Sequence, residues 1–314
     1  MTVDVPLAIG GLAVGLIVGM TGMGGGAIMT PMLVFLFKAD PLTAISSDIV
    51  VSLFMKPVGA FVHVRRGTVN LELVGWLCLG SVPAAFSGAW LIRALPGGED
   101  LDRILQQGLG VALLVATAGL VIRALVQMRR LGTPLGEGPA PMERPEIRVR
   151  PVPTVALGAL AGFMVGLTSV GAGSVVIVVL LLLYPALKAS SLVGTDLVQA
   201  IPLVAAAAAG HLLFGEFSPV VAASLLIGAV PGAWVGAQLS SRAPGGIIRR
   251  ILAVVLLASG LRLLGLPSEA VLVASLGALV FGSVAWIAIR NQRRRAVRRQ
   301  RLDRRLAEGD IAGP

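Results

Sequence analysis

Gly19-Met20-Thr21-Gly22-Met23-Gly24-Gly25-Gly26 stands in the middle of an apolar run covering 6–37. One upright membrane helix needs only about 20 apolar residues. The run is too long for that, and glycine both weakens a helix and permits a sharp turn. The cluster therefore predicts a break between two arms of about 11–15 residues, each roughly half a bilayer in length. A second long run, 154–184, is cut in the same way by Thr168-Ser169-Val170-Gly171-Ala172-Gly173-Ser174. Both read as re-entrant helical hairpins. For 6–37 a single kinked, tilted span remains the other reading.

Composition agrees. The 314-residue chain is 56% hydrophobic, only 13% charged, and has a mean hydropathy of +0.89. A soluble domain carries about 25% charged residues, and a water-soluble globule of this size would be unable to cover so much apolar surface. The chain reads as an all-α integral membrane protein. A disulfide scaffold is excluded, because Cys78 is the single cysteine and sits in an apolar run. The net charge of +10 owes much to nine Arg between Arg290 and Pro314. Directly after an apolar segment, such a tail is a positive-inside anchor that touches anionic lipid headgroups, rather than a nucleic-acid arm. Met1-Thr2-Val3-Asp4 lacks the basic start of a cleaved signal peptide.

Further spans are predicted at 42–62, 70–94, 104–126, 190–213, 219–240, 247–264 and 270–289. The polar stretch Arg129–Arg150 carries five Arg, so it and the C-terminal Arg run both belong on the cytoplasmic side. Five apolar segments separate them, yet an even number of crossings is required; making 154–184 a hairpin resolves the parity. Arg65, Arg66, Lys188, Arg242, Arg249 and Arg250 then all fall inside.

The two halves carry matching residues. His63-x3-Gly67 recurs as His211-x3-Gly215, Gly80-x2-Pro83-x4-Gly88-Ala89 as Gly228-x2-Pro231-x4-Gly236-Ala237, and Asp48 as Asp196, all 148 positions apart. Gly19, Thr21, Gly24 and Gly26 match Gly166, Thr168, Gly171 and Gly173 at 147. Each unit is one hairpin plus three spans, and three is odd, so the second copy is inserted upside down. The organisation is a first membrane repeat at 1–130, a cytoplasmic Pro/Gly/Arg linker at 131–152 and a second repeat at 153–265. A final transmembrane helix at 266–290 and a basic cytoplasmic tail at 291–314 complete it. Inverted repeats with paired broken segments are the architecture of many secondary transporters, with the substrate site at the midplane. Scattered glycines such as Gly158 and Gly162 read instead as close helix packing.

At each hairpin tip the second arm begins with unpaired N–H groups and the positive end of its dipole, which suits a small oxyanion. Gly24, Gly25, Gly26, Gly171 and Gly173 leave the backbone open, and Thr21, Thr168, Ser169 and Ser174 add hydroxyls. The carbonyl ends of the first arms suit a coupling cation instead. Lys56 has no basic counterpart, since the offset lands on Val204. It either adds charge to the anion site or snorkels to the inner surface. Asp48 and Asp196 are either proton carriers or carboxylates that fix a helix end or hairpin in place. His63 and His211 fall at helix ends near opposite surfaces, which points to interface hydrogen bonds rather than a shared metal site. Arg123 and Arg262 lie near enough to helix ends to snorkel.

With Gly22-x-Gly24-Gly25-Gly26-x4-Pro31-x-Leu33, Thr168-Ser169-x-Gly171-x-Gly173-Ser174 and the duplicated His-x3-Gly and Gly-x2-Pro-x4-Gly-Ala elements, the chain resembles the TauE/SafE family of sulfite exporters over about 6–264. One departure is that Pro31 has Val178 as its counterpart in the second hairpin. The resemblance implies a bacterial inner-membrane carrier of sulfite, sulfoacetate or another organosulfonate, usually an exporter. Partners on this reading are the sulfur anion, lipid, a coupling ion (proton or sodium) and a second copy in a homodimer. No nucleic acid, cofactor, metal or catalytic residue is expected. No Gly-x4-Gly-Lys-Ser/Thr motif occurs for direct ATP coupling. A passive anion channel of the same fold, and an intramembrane enzyme using Asp48 and Asp196 as a pair, are the alternatives.

Overall fold

The computed structural model describes residues 3–21, 25–95, 97–130, 149–170, 172–187, 189–239 and 245–284. The linker over 131–148, the basic tail, Lys188, Arg242, Gly24 and Gly171 lie outside the described residues, as does the side chain of Ser174.

The described chain is helical throughout. The first half comprises α1 (Val5–Thr21), α2 (Gly26–Phe35), α3 (Pro41–Arg65), α4 (Leu71–Ile92) and α5 (Glu99–Arg130). The second comprises α6 (Pro151–Thr168), α7 (Ala172–Leu183), α8 (Ala189–Phe214), α9 (Pro219–Leu239) and α10 (Gly245–Leu263). A shorter apolar helix, α11, spans Ser268–Val284. Among the described residues, six helices (α3, α4, α5, α6, α8 and α9) are long and apolar enough to cross a membrane. Their exposed side chains are apolar too, Phe54, Leu79, Trp90, Ile227 and Trp234 among them, as a lipid-facing surface requires. The chain is a multi-pass, all-α membrane protein.

Residues 6–37 form a hairpin. Gly10 on α1 faces Met32 and Phe37, so α2 runs back along α1 from the break. In the second long run the Tyr184 hydroxyl lies 2.6 Å from the Thr154 hydroxyl and accepts the Arg150 N–H at 2.9 Å, which returns α7 to the start of α6. The arms differ from the expected equal halves. α1 and α6 have 17 and 18 residues, α2 only 10 and α7 12. The helix does not stop at the first glycines because Gly11, Gly15 and Gly19 are packing residues. A Cβ on each would strike the backbone of Leu225, Ala229 and Ala233 on α9, and α9 answers with Gly228, Gly232 and Gly236 against α1.

The same device joins α6 to α4. Gly158, Gly162 and Gly166 face the carbonyls of Leu77, Ser81 and Ala85. In both pairs residue numbers rise together, so α1 runs parallel to α9 and α6 parallel to α4. The packing role expected of Gly158 and Gly162 is what the backbone contacts show, and it extends to the repeat markers Gly19, Gly80, Gly88 and Gly166. Such close approach brings backbone atoms into van der Waals contact where apolar side chains gain nothing over lipid. Each hairpin's long arm is thus held by the other half of the chain.

The central helices α3 and α8 cross antiparallel. Ser46 meets His211, Gly59 lies beside Leu197, and His63 lies beside Gly194. Buried apolar side chains fill matching clusters on either side: Leu7, Met29, Leu33, Val51 and Leu225 around the first hairpin, Leu157, Val176, Leu180, Leu73 and Leu77 around the second.

Candidate functional site

The hairpin tips meet. A Cβ on Gly26 would overlap the Ser169 carbonyl, so only glycine fits at the start of α2. Gly25, which caps α2, lies against Ser52 and Asp48 near the midpoint of α3. Ser169 ends α6 in the left-handed region, φ 60°, with its N–H bonded to the Val165 carbonyl at 2.8 Å. For a residue other than glycine that conformation is uncommon. Here it turns the serine hydroxyl toward α3.

Asp48 gathers these elements. Its Oδ2 accepts from Thr30 Oγ1 at 2.6 Å and from Ser169 Oγ at 2.8 Å, and Oδ1 accepts a long bond from Ser52 Oγ at 3.4 Å. The carboxylate is fully buried. Charge-assisted hydrogen bonds are short and roughly twice as strong as neutral ones, so one side chain ties the first hairpin, α3 and the tip of the second hairpin together.

Asp196, the repeat partner, is differently placed. Gln199 Nε2 donates to its Oδ1 at 3.2 Å, and Ser81 Oγ holds the other end of that amide at 3.3 Å. Among the described residues its Oδ2 accepts no hydrogen bond. Asp196 and Gln199 are both buried.

Lys56 lies between the two. Its charge is within electrostatic reach of both Asp48 and Asp196, yet among the described residues it forms neither a hydrogen bond nor an ion pair. The residue is half-buried. Arg123 is a correction to the sequence reading. It is 6% exposed and its charge reaches Asp196, so it faces the bundle interior instead of snorkelling to a surface. The reason is that Arg123 lies seven residues before the end of α5, on a face turned into the protein. Arg262 does sit at an exposed helix end, donating from Nη1 to the Leu266 carbonyl at 3.1 Å.

The remaining candidates are placed as follows. Thr21 Oγ1 donates to the Ile17 carbonyl at 2.8 Å and Thr168 Oγ1 to the Met164 carbonyl at 2.7 Å. Both cap the carbonyl ends of the long arms instead of facing Asp48. Gly173 and Ser174 lie in the first turn of α7. His211 sits between Ser46 Oγ at 2.8 Å and the Gly166 carbonyl at 2.7 Å, and His63 bonds Thr68 Oγ1 at 3.0 Å. His211 therefore makes the interface hydrogen bonds expected of it, whereas the bond of His63 is local, to the turn that follows α3. Thr30, Ser52, Ser81, Gln199 and Arg123 are the residues that sequence reasoning missed. Gln199, three positions after Asp196, was the most legible of these, because an amide in an apolar helix needs a partner.

A polytopic helical protein with two broken-helix hairpins meeting beside buried charges belongs among membrane transporters. The TauE/SafE sulfite exporter family model matches residues 7–263, and the chain belongs to that family. It is 33% identical over 262 residues to the probable membrane transporter protein YjnA of Bacillus subtilis (strain 168), covering 83% of this chain and all of that one. It is 25% identical over 256 residues to the probable membrane transporter protein YdhB of the same organism, covering 80% of this chain and 96% of the relative. No solved structure gives a significant match to the chain.

Proposed function

We propose that this membrane transporter is a secondary carrier of small sulfur-containing anions such as sulfite or organosulfonates. It works by alternating access across a bacterial inner membrane, in the export direction, with both the 131–152 linker and the C-terminus cytoplasmic. The observation that carries the anion reading is the ammonium of Lys56, which has no hydrogen-bond or ion-pair partner among the described residues and lies within electrostatic reach of Asp48, the carboxylate beside Gly25 and Ser169. A half-buried cation without a partner leaves room for an anionic solute to neutralise it, and the N-terminal end of α2 adds dipole attraction. The sulfur chemistry rests on the family. Site residues on this reading are Lys56, Gly25, Gly26 and Ser169, with Thr21, Gly24, Thr168, Gly171, Gly173 and Ser174 as the flanking tip residues.

The two halves act as inverted repeats. The antiparallel crossing of α3 and α8 supports this, as do the exchanged pairs α1–α9 and α6–α4. Alternating access is then the exchange of the two hairpin environments.

Counterflow in proteoliposomes tests the function. Vesicles preloaded with sulfite, thiosulfate, sulfate or an organosulfonate should transiently accumulate the labelled form of the carried species. Labelled flux that never overshoots equilibrium would indicate a passive anion channel, and no flux of any of them would defeat the reading. Cysteine labelling that finds the linker and the tail on opposite sides would defeat the inverted topology.

A further inference from the structure

Lys56 on α3 is within electrostatic reach of Asp48 on the same helix and of Asp196 on α8, and Arg123 on α5 is within reach of Asp196. With all four ionised, their formal charges sum to zero. A monovalent anion bound among them adds an uncompensated negative charge, which is costly in an interior closed to water. The compensating charge must enter with the anion, and the two carboxylates differ in their capacity to take it up as a proton.

Asp48 accepts from three hydroxyl donors, two on Oδ2 and a long one on Oδ1. A proton on Oδ2 would displace Thr30 or Ser169 and release a hairpin tip, and one on Oδ1 would compete with Ser52. Asp196 accepts one bond, on Oδ1, and among the described residues its Oδ2 has none. A proton on Oδ2 breaks no hydrogen bond. The groups facing Asp196 are consistent with a reversible proton there. The charges within reach of it are Lys56 from α3 and Arg123 from α5, while His63 of α3 lies beside Gly194 and the Cys78 thiol of α4 donates to the Gln199 carbonyl. α6, α7 and α9 carry no titratable side chain.

Resting on the transport function proposed above, we infer that Asp196 is the proton site of an electroneutral anion–proton symport, one proton per monovalent anion, while Asp48 stays ionised as the fastening between the hairpins. The proton enters from the aqueous phase that supplies the anion and leaves with it. The pair moves down the summed gradients of anion and proton, so a cytoplasmic excess of the anion drives export. With the anion at equal concentration, an imposed pH gradient drives the pair toward the more alkaline side.

Two measurements on the full-length protein test this. In proteoliposomes with labelled 2-hydroxyethanesulfonate, an inside-alkaline gradient should drive accumulation at least tenfold, and a valinomycin-set potassium potential should leave it unchanged. In Asp196→Asn the ratio of pH-driven uptake to anion exchange should fall at least tenfold. Uptake that follows the potential and ignores the pH gradient overturns the symport. Independently of any substrate, infrared difference spectra across a pH titration should show a carboxylic-acid band that is lost in Asp196→Asn and kept in Asp48→Asn. The reverse pattern, or no titrating carboxyl band at all, overturns the assignment. A protein that carries no sulfur anion yet keeps the Asp196 band would defeat the transport reading and leave the proton site standing.

Discussion

The hydroxyl of Ser169, at the break of the second hairpin, donates to the carboxylate of Asp48 on α3 at 2.8 Å across 121 positions of sequence. With Thr30 bonded to the same oxygen, this contact holds the two broken segments in one arrangement. Hydrogen bonds to charged groups contribute about 1.5–3 kcal/mol each. Ser169→Ala should therefore lower stability by about 2 kcal/mol, read as earlier thermal exposure of the Cys78 thiol to a maleimide dye. Unchanged melting would show that the contact holds nothing.

Neighbouring glycines at the first tip should behave oppositely. A Cβ at Gly25 meets Ser52 Oγ at 3.2 Å and Asp48 Oδ1 at 3.5 Å, tight but tolerable, whereas one at Gly26 collides with the Ser169 backbone. Gly25→Ala should fold normally and lose transport at least tenfold, and the bulkier Gly25→Leu should abolish it while still inserting. Gly26→Ala should fail to give a monodisperse protein in detergent. Equal effects of the two alanine changes on size-exclusion profiles would count against the geometry.

Loss of the Lys56 charge removes attraction for an anion but no hydrogen bond among the described residues. Lys56→Met should raise the anion dissociation constant at least tenfold, roughly 1.4 kcal/mol, while leaving the melting temperature within a few degrees of the parent. Unchanged binding by calorimetry would return the side chain to a purely structural role.

The glycine seams should be the least tolerant part of the molecule. Gly15→Ala or Gly162→Ala pushes a methyl group into the backbone of Ala229 or Ser81. Overpacking costs about 1–3 kcal/mol where the neighbours are able to shift, and a backbone collision sits at the upper end. Gly75→Ala and Gly277→Ala, which meet nothing within 4 Å, should leave expression and melting unchanged. Expression yield and melting curves of the four variants decide the matter.

Most of the architecture was legible from composition and glycine placement, because lipid demands helices and a glycine cluster in a 30-residue apolar run leaves few alternatives. Unequal arm lengths were not, since a glycine that breaks a helix and a glycine that seats one helix on another look alike in sequence. Gly19 belonged to the matched cluster yet lies inside α1, against Ala233. At the site, Asp48, Lys56, Gly25 and Ser169 stood out as charges or breaks in apolar runs. Thr30, Ser52 and Ser81 did not, because a hydroxyl on an apolar helix bonds its own backbone or a distant carboxylate according to packing alone. Arg123 misled through its distance from the chain's next polar stretch, which says nothing about which way a long helix leans.

The interleaving of the two halves has a consequence for biogenesis. Asp4 at the head of α1 donates its N–H to Ser224 Oγ on α9, 220 positions later, and the whole groove that receives α1 belongs to that late helix. On the ribosome the first hairpin therefore emerges long before its cradle exists. It must wait in the translocon or at the lipid margin, half-assembled, until α9 has been made.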